Sequence, residues 1–139
     1  MIDERIIKEI MGSLQIAIIG NGGNLAIAQH AASDMTRHLG KRCFAPDGVH
    51  LTALGGDGGW HQEWIEKYAC FADLIIGITT RVDSPIARGG CDIYVAPMQI
   101  PNVLTHVIPS EHYHEFECKA LLSFYGMMEE CGAHLPRIS

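Results

Sequence analysis

The stretch QIAIIGNGGNLAIAQHAASDM, residues 15–35, decides the fold. IAIIG is a short β-branched run closed by glycine, the pattern of a buried parallel strand. Beyond it Leu25, Ala28, Ala32, Met35 and Leu39 recur at helical steps and stop at Gly40. That spacing predicts an amphipathic helix with Asn24 as its N-cap and glycine at its end. Gly20, Gly22 and Gly23 fill the turn between strand and helix, where backbone N–H groups and the helix dipole meet an anion. His30 and Asp34 follow on the same helix face, four residues apart. A polar helix face is the plain explanation of such a pair, and shared coordination of one divalent metal is the functional one.

Working outward, residues 2–11 read as a short helix with Ile2, Ile6, Ile7 and Ile10 at helical spacing. RCFAP is a second short strand, LTALGGDGG a turn-rich loop and WHQEWIEKYACF a helix. DLIIGITT is the strongest strand of the chain, and CDIYVAP and NVLTHVIPS add two more. A closing helix from about Glu111 to Cys131 has Phe116, Ala120, Leu121, Phe124, Met127, Met128 and Cys131 on its apolar side. Strands alternating with helices predict an α/β fold, a three-layer sandwich around a five-stranded parallel sheet. Between GITT and CDIYVAP lies only RVDSPIARGG, too short for a loop and a normal crossover helix. Either that helix is lost to a turn or the next strand joins the sheet in an unusual way.

Composition narrows the function classes. The 139 residues suit one domain, 1–139, with a proper core, and 47% apolar against 19% charged residues marks a globular chain. The net charge is −6 and no basic run occurs, so no nucleic-acid or acidic-membrane partner is expected. Five widely spaced cysteines without a CxxC pair argue against a disulfide framework and for a reducing compartment. MIDERIIKEIM has no signal-peptide core and no run is long enough for a bilayer, so a cytoplasmic location is expected.

A second anion site is written in GITTRVDSP, residues 77–85. Thr79, Thr80 and Ser84 offer hydroxyls after a buried strand, and Arg81 offers a cation, a set suited to a phosphate monoester. A turn capped by its own Ser and Thr side chains is the plain alternative. For the first glycine loop the rival is a dinucleotide fingerprint, with Asp47 as the ribose-binding acid. Leu25 then occupies the position where glycine or alanine normally permits close helix–strand packing.

Taken in order, GNGGNLAIAQHAASDM, LTALGGDGGWHQEW, ADLIIGITTRVDSP and VIPS leading into HEFECKALL resemble the SIS (sugar isomerase) domain, and within it the phosphoheptose (sedoheptulose 7-phosphate) isomerases. The resemblance runs from Gln15 on. It implies a sugar-phosphate substrate, a homo-oligomer (dimer or tetramer) with sites shared between subunits, and a divalent metal, with zinc as the expected ion. Asn21, Gly22 and Gly23 match the sugar-contacting loop, with Asn24 in place of its usual serine. His30 matches the first metal ligand, and Asp34 falls where the family has a glutamate that is both ligand and catalytic base. Gly56 and Asp57 match an Asn-Asp substrate pair, and Thr79, Thr80, Arg81 and Ser84 match the phosphate-binding set. His114 matches a glutamine that touches substrate and metal, which makes it a candidate catalytic and metal-ligating residue.

The departures bear on catalysis. Leu122 stands where the family keeps a histidine that is both ligand and acid–base partner, and an alkyl chain does neither. Asp34 is one methylene shorter than glutamate, which alters a proton-transfer distance. The N-terminal helical region is also shorter than the family's. His106, His112, His114, Glu111, Glu115 and Glu117 cluster nearby and offer substitutes, or simply form a solvated first helical turn. Two functions follow: a phosphosugar isomerase working through an enediol, and a non-catalytic phosphosugar-binding or adaptor protein on the same fold.

Overall fold

The computed structural model describes residues 1–48 and 59–138. Its elements are α1 (Glu4–Met11), β1 (Gln15–Ile19), α2 (Gly23–Leu39), β2 (Arg42–Phe44), α3 (Trp60–Tyr68), β3 (Leu74–Ile78), a 3₁₀ turn (Pro85–Arg88), β4 (Ile93–Ala96), β5 (Leu104–Val107) and α4 (Tyr113–Glu130). The five strands form one parallel sheet in the order β2-β1-β3-β4-β5. Side chains alternate across such a sheet. Ile16 and Ile18 of β1 therefore face one layer while Ala17 and Ile19 face the other.

The two layers are unequal. On one face α1, α2 and α4 supply Ile6, Ile10, Ala28, Ala31, Ala32, Met35, Phe116, Phe124 and Met127 to a single large core. The small alanines of α2 let α4 approach closely. On the other face α3 contributes Trp60, Trp64 and Ile65, and among the described residues the 3₁₀ turn adds Ile86 while the loop after β4 adds Ile100. The three-layer α/β sandwich is the expected architecture, and the missing crossover helix is reduced to that single turn.

Tyr94 fills part of the space that a helix would have covered. Its ring is fully buried, and its hydroxyl donates to the Ile86 carbonyl at 2.7 Å. Across the ladder its register partner is Gly77, where a Cβ would collide with the Tyr94 ring and Cys91 Sγ. A second connection is also abbreviated, since β4 and β5 run parallel although only residues 97–103 join them. That loop turns through Asn102 in a left-handed conformation (φ 63°), which asparagine tolerates. At the opposite end of the sheet Asp73 accepts the Leu14 and Gln15 N–H groups, and Asp92 accepts that of Ile75. These carboxylates fix where the strands begin. The backbone bonds hold the Asp73 pKa below the usual carboxylate range.

One sequence expectation is corrected. Asn24 is not the N-cap of α2. Gly22 is, at φ 59°, and the helix starts at Gly23. A left-handed turn at a residue without Cβ brings the chain into the helix earlier than side-chain capping predicts.

Candidate functional site

The site lies at the carboxyl ends of β1 and β3. In the order β2-β1-β3-β4-β5 the chain leaves these neighbours in opposite directions, and open α/β sheets bind ligands at such a switch point. The glycine loop after β1 and the Thr79–Ser84 loop after β3 close on one recess of about 190 Å³. Asn21, Asn24, Thr79, Thr80, Arg81 and Ser84 line it together, with Tyr113 at the start of α4. Close packing holds the first loop: a Cβ on Gly20 would lie 2.5 Å from the Asn24 carbonyl. Gly23 leaves room for the Glu117 carboxylate, which sits directly against its α-carbon.

The polar groups of this recess are not equivalent. Asn24 is buried and its side-chain oxygen has no hydrogen-bond partner among the described residues. Thr79 is buried too, but its hydroxyl donates to the Arg81 carbonyl at 3.0 Å, so it braces its own loop. The plain reading of a self-capped turn therefore holds for Thr79. The Ser84 hydroxyl does not cap the 3₁₀ turn that follows it. Arg81 reaches Asp83 at 3.2 Å, both side chains being exposed, and a surface pair of this kind is weak and yields readily to another anion.

Thr80 and Tyr113 also belong to the wall of a larger cavity of about 500 Å³, so the two spaces adjoin. Its other walls include Met98, Phe116, Ser110, Glu111, His112 and His114. Of the substitutes suggested by the sequence, His112, His114 and Glu111 are at this cavity. His106 is elsewhere: its Nε2 lies 3.1 Å from Ser123 Oγ between β5 and α4, and burial lowers its pKa. Glu115 bonds Lys119 at 2.6 Å and accepts the Glu111 N–H, an ordinary solvated helix start.

His30 and Asp34 line neither space. His30 Nε2 lies 3.1 Å from Asp34 Oδ2 and 3.1 Å from the hydroxyl of Tyr125 on α4. The two rings meet edge to face, with centroids 6.2 Å apart. Desolvation, then the charge of Asp34 and a hydrogen bond to it, raise the Tyr125 pKa. Sequence reasoning missed Tyr125, whose only signal was its place one turn beyond Leu122. Leu122 itself is 67% exposed. His30, Asp34 and His114 are thus not gathered within one chain, and no three His, Cys, Asp or Glu side chains among the described residues form a metal-binding group. That trio does not fit a zinc ion as it stands. Gly56 and Asp57 lie outside the described residues.

The fold is an α/β sandwich around one parallel sheet, and the cleft lies at its switch point. The chain is phosphoheptose isomerase-like, as its relatives show. It is 34% identical over 85 residues to a phosphoheptose isomerase of Geotalea uraniireducens, covering 54% of this chain and 45% of that one. It is 32% identical over 100 residues to the phosphoheptose isomerase of Trichlorobacter lovleyi, covering 65% of this chain and 51% of the relative. The matched segments span about half the length of these curated relatives. The fold is similar to phosphoheptose isomerase GmhA from Neisseria gonorrhoeae (TM-score 0.68, 22% identity, 92% of this chain and 81% of that one). It is also similar to a phosphoheptose isomerase from Francisella tularensis (TM-score 0.68, 20% identity, 91% and 82%). No protein-family model matches the chain. Among the described residues, no helix is long and apolar enough to cross a membrane.

Proposed function

We propose that the chain binds a sugar phosphate in this cleft and acts on it as a slow aldose–ketose isomerase of the phosphoheptose type. The observation that carries the reading is the convergence of Asn21 and Asn24 with Thr80, Arg81 and Ser84 on one recess at the β1/β3 switch point. Hydroxyls, a guanidinium and the N-terminus of α2 suit the phosphate end. The orphaned Asn24 oxygen needs a donor, and a sugar hydroxyl is one. From there the carbon chain would run past Thr80 and Tyr113 into the larger cavity, where His114, His112 and Glu111 are the titratable groups. Isomerisation needs a base that takes a proton from the carbon next to the carbonyl and an acid that returns one to its neighbour. Of these, His114 is the candidate, because it matches the family's substrate-contacting glutamine.

A panel of sugar phosphates followed by thermal shift and by product formation tests the reading. Thr80→Ala and Arg81→Ala should each weaken binding, Arg81→Ala with the steeper loss of salt dependence. Unchanged affinity in both variants removes this loop from the site. The wild type should turn over well below the ~1–10³ s⁻¹ usual for enzymes, because losing one acid–base group costs about 10²- to 10⁴-fold.

The exposed alkyl chain of Leu122 favours a second reading, a phosphosugar-binding or adaptor protein without turnover. Leu122→His separates the two: a gain in isomerisation supports a residual active site, and binding with no turnover in either form supports the binder. Self-association to a dimer or tetramer goes with both readings, through exposed apolar side chains such as Leu122, Tyr113 and Leu14. Light scattering that finds only monomer at micromolar concentration counts against it.

A further inference from the structure

We propose that Glu117 is a specificity-determining residue of the cleft: its carboxylate reserves the α2 end of the recess for hydrogen-bond donors of the ligand and turns the phosphate to the loop after β3. This role rests on the sugar-phosphate reading of the cleft and deepens it by giving the ligand a direction. Glu117 belongs to α4, one turn beyond Tyr113 in the recess wall. Its carboxylate lies against the first residue of α2, so that a Cβ on Gly23 would stand 2.6 Å from the Glu117 carboxyl carbon. α2 has no acidic residue in its own first turn and no side-chain cap. The negative charge that favours a helix N-terminus is therefore supplied from α4. Among the described residues this carboxylate has no ion-pair or hydrogen-bond partner, Lys119 being bonded to Glu115 instead.

The two ends of the recess differ in what they offer. At the α2 end the Asn24 and Leu25 N–H groups are already donated, to the Asn21 carbonyl at 3.1 Å and the Gly22 carbonyl at 3.0 Å. That leaves the turn short of the N–H donors with which a helix start binds an anion. Two acceptors stand there instead: the Glu117 carboxylate and the side-chain oxygen of Asn24, a residue only 6% exposed. A phosphate dianion brings no donor to either and is repelled by the carboxylate. Hydroxyl groups give both acceptors what they lack, and a hydrogen bond to an ionised acceptor is the stronger kind. At the other end stand the Arg81 guanidinium and the Thr80 and Ser84 hydroxyls, all donors to a phosphate. A ligand with a phosphate at one end and hydroxyls at the other thus fits in one direction. Inorganic phosphate, which has no hydroxyl-bearing carbon chain, meets the repulsion without the compensating bonds.

The full chain is titrated by calorimetry at low salt with two probes, inorganic phosphate and sedoheptulose 7-phosphate. Glu117→Gln keeps the size of the side chain and its seat against Gly23 while removing the charge. It should tighten inorganic phosphate by about threefold or more, since a like charge a few ångströms from a dianion costs about that much even at the dielectric of water. The gain should fade as salt rises. Sedoheptulose 7-phosphate should gain less, or lose, because its hydroxyls give up an ionised acceptor. The preference for it over inorganic phosphate should therefore fall by about threefold or more. Arg81→Ala should weaken both probes and leave that preference within about twofold of the wild type, because it acts on the phosphate they share. An unchanged preference in Glu117→Gln, or weaker phosphate binding by that variant, overturns the proposal while leaving the cleft standing. Sugar-phosphate binding that withstands Arg81→Ala overturns it too, since the phosphate then lies elsewhere. No binding of sedoheptulose 7-phosphate by the wild type overturns the cleft reading and the proposal together.

Discussion

The cleft and the outer face of α2 and α4 are built in opposite ways. Each half of the cleft comes from a strand end and the loop that follows it, so its polar groups lie within a few residues of one another: Asn21 and Asn24 in one, Thr80, Arg81 and Ser84 in the other. The His30–Asp34–Tyr125 triangle joins residues 95 positions apart, and helix packing alone brings them together. The cleft therefore depends on turn geometry, and the triangle on the core beneath it.

The largest expected effect attacks that core. Phe124 is fully buried beside Tyr125, and Phe124→Ala should cost about 3–5 kcal/mol in urea unfolding. The Tyr125–His30 contact should loosen with it. A loss under about 1 kcal/mol would show that α4 is not anchored there and that the triangle has another support.

Next comes pH, which acts on the thinner face of the sheet. His61 is buried against Trp60 with both ring nitrogens unpartnered among the described residues, and burial lowers its pKa from 6.5 to about 4. The unfolded chain takes up this proton first. Stability is thus full above about 6.5 and falls as the pH drops toward about 4. At 1.36 kcal/mol per pKa unit the loss approaches roughly 3 kcal/mol. Denaturation curves of wild type and His61→Leu across this window should diverge, the variant being the flatter. Parallel curves would mean that the imidazole is solvated.

Gly20→Ala attacks the turn instead. Its Cβ would run into the backbone of Asn24 and Leu25, so α2 must shift at its first turn. A cost of about 1–3 kcal/mol is expected, as for other overpacked sites, together with loss of sugar-phosphate binding. Retained binding would detach the glycine loop from the cleft.

The smallest effect is on the Arg81–Asp83 pair. Asp83→Asn should alter stability by less than about 1 kcal/mol, since both side chains are exposed. It should also free Arg81 and tighten phosphate binding at low salt, and weaker binding instead would make Asp83 a partner in holding the ligand.

The strand, the glycine turn and the helix at residues 15–39 were legible in the sequence because each depends on near neighbours: β-branched residues, missing Cβ atoms and 3.6-residue periodicity. The lost crossover helix was legible from length alone. The filling of its place by Tyr94 was not, because that depends on the bare backbone of Gly77 one strand away. The cap of α2 was misread for a related reason, since the φ of Gly22 overrode the capping preference of Asn24.

By itself the sequence determined the α/β class, the order of its elements and the residue types placed at the ends of β1 and β3. Local sterics and periodicity settle those along the chain. Only the tertiary structure decided that the two loops close on one recess, that Thr79 turns its hydroxyl to its own loop, and that His30 and Asp34 meet Tyr125 while His114 opens onto a cavity beside Thr80. Those outcomes depend on how closely the alanine-lined side of α2 lets α4 approach and on how two unequal layers pack on the sheet. Both follow from packing between segments far apart in the chain.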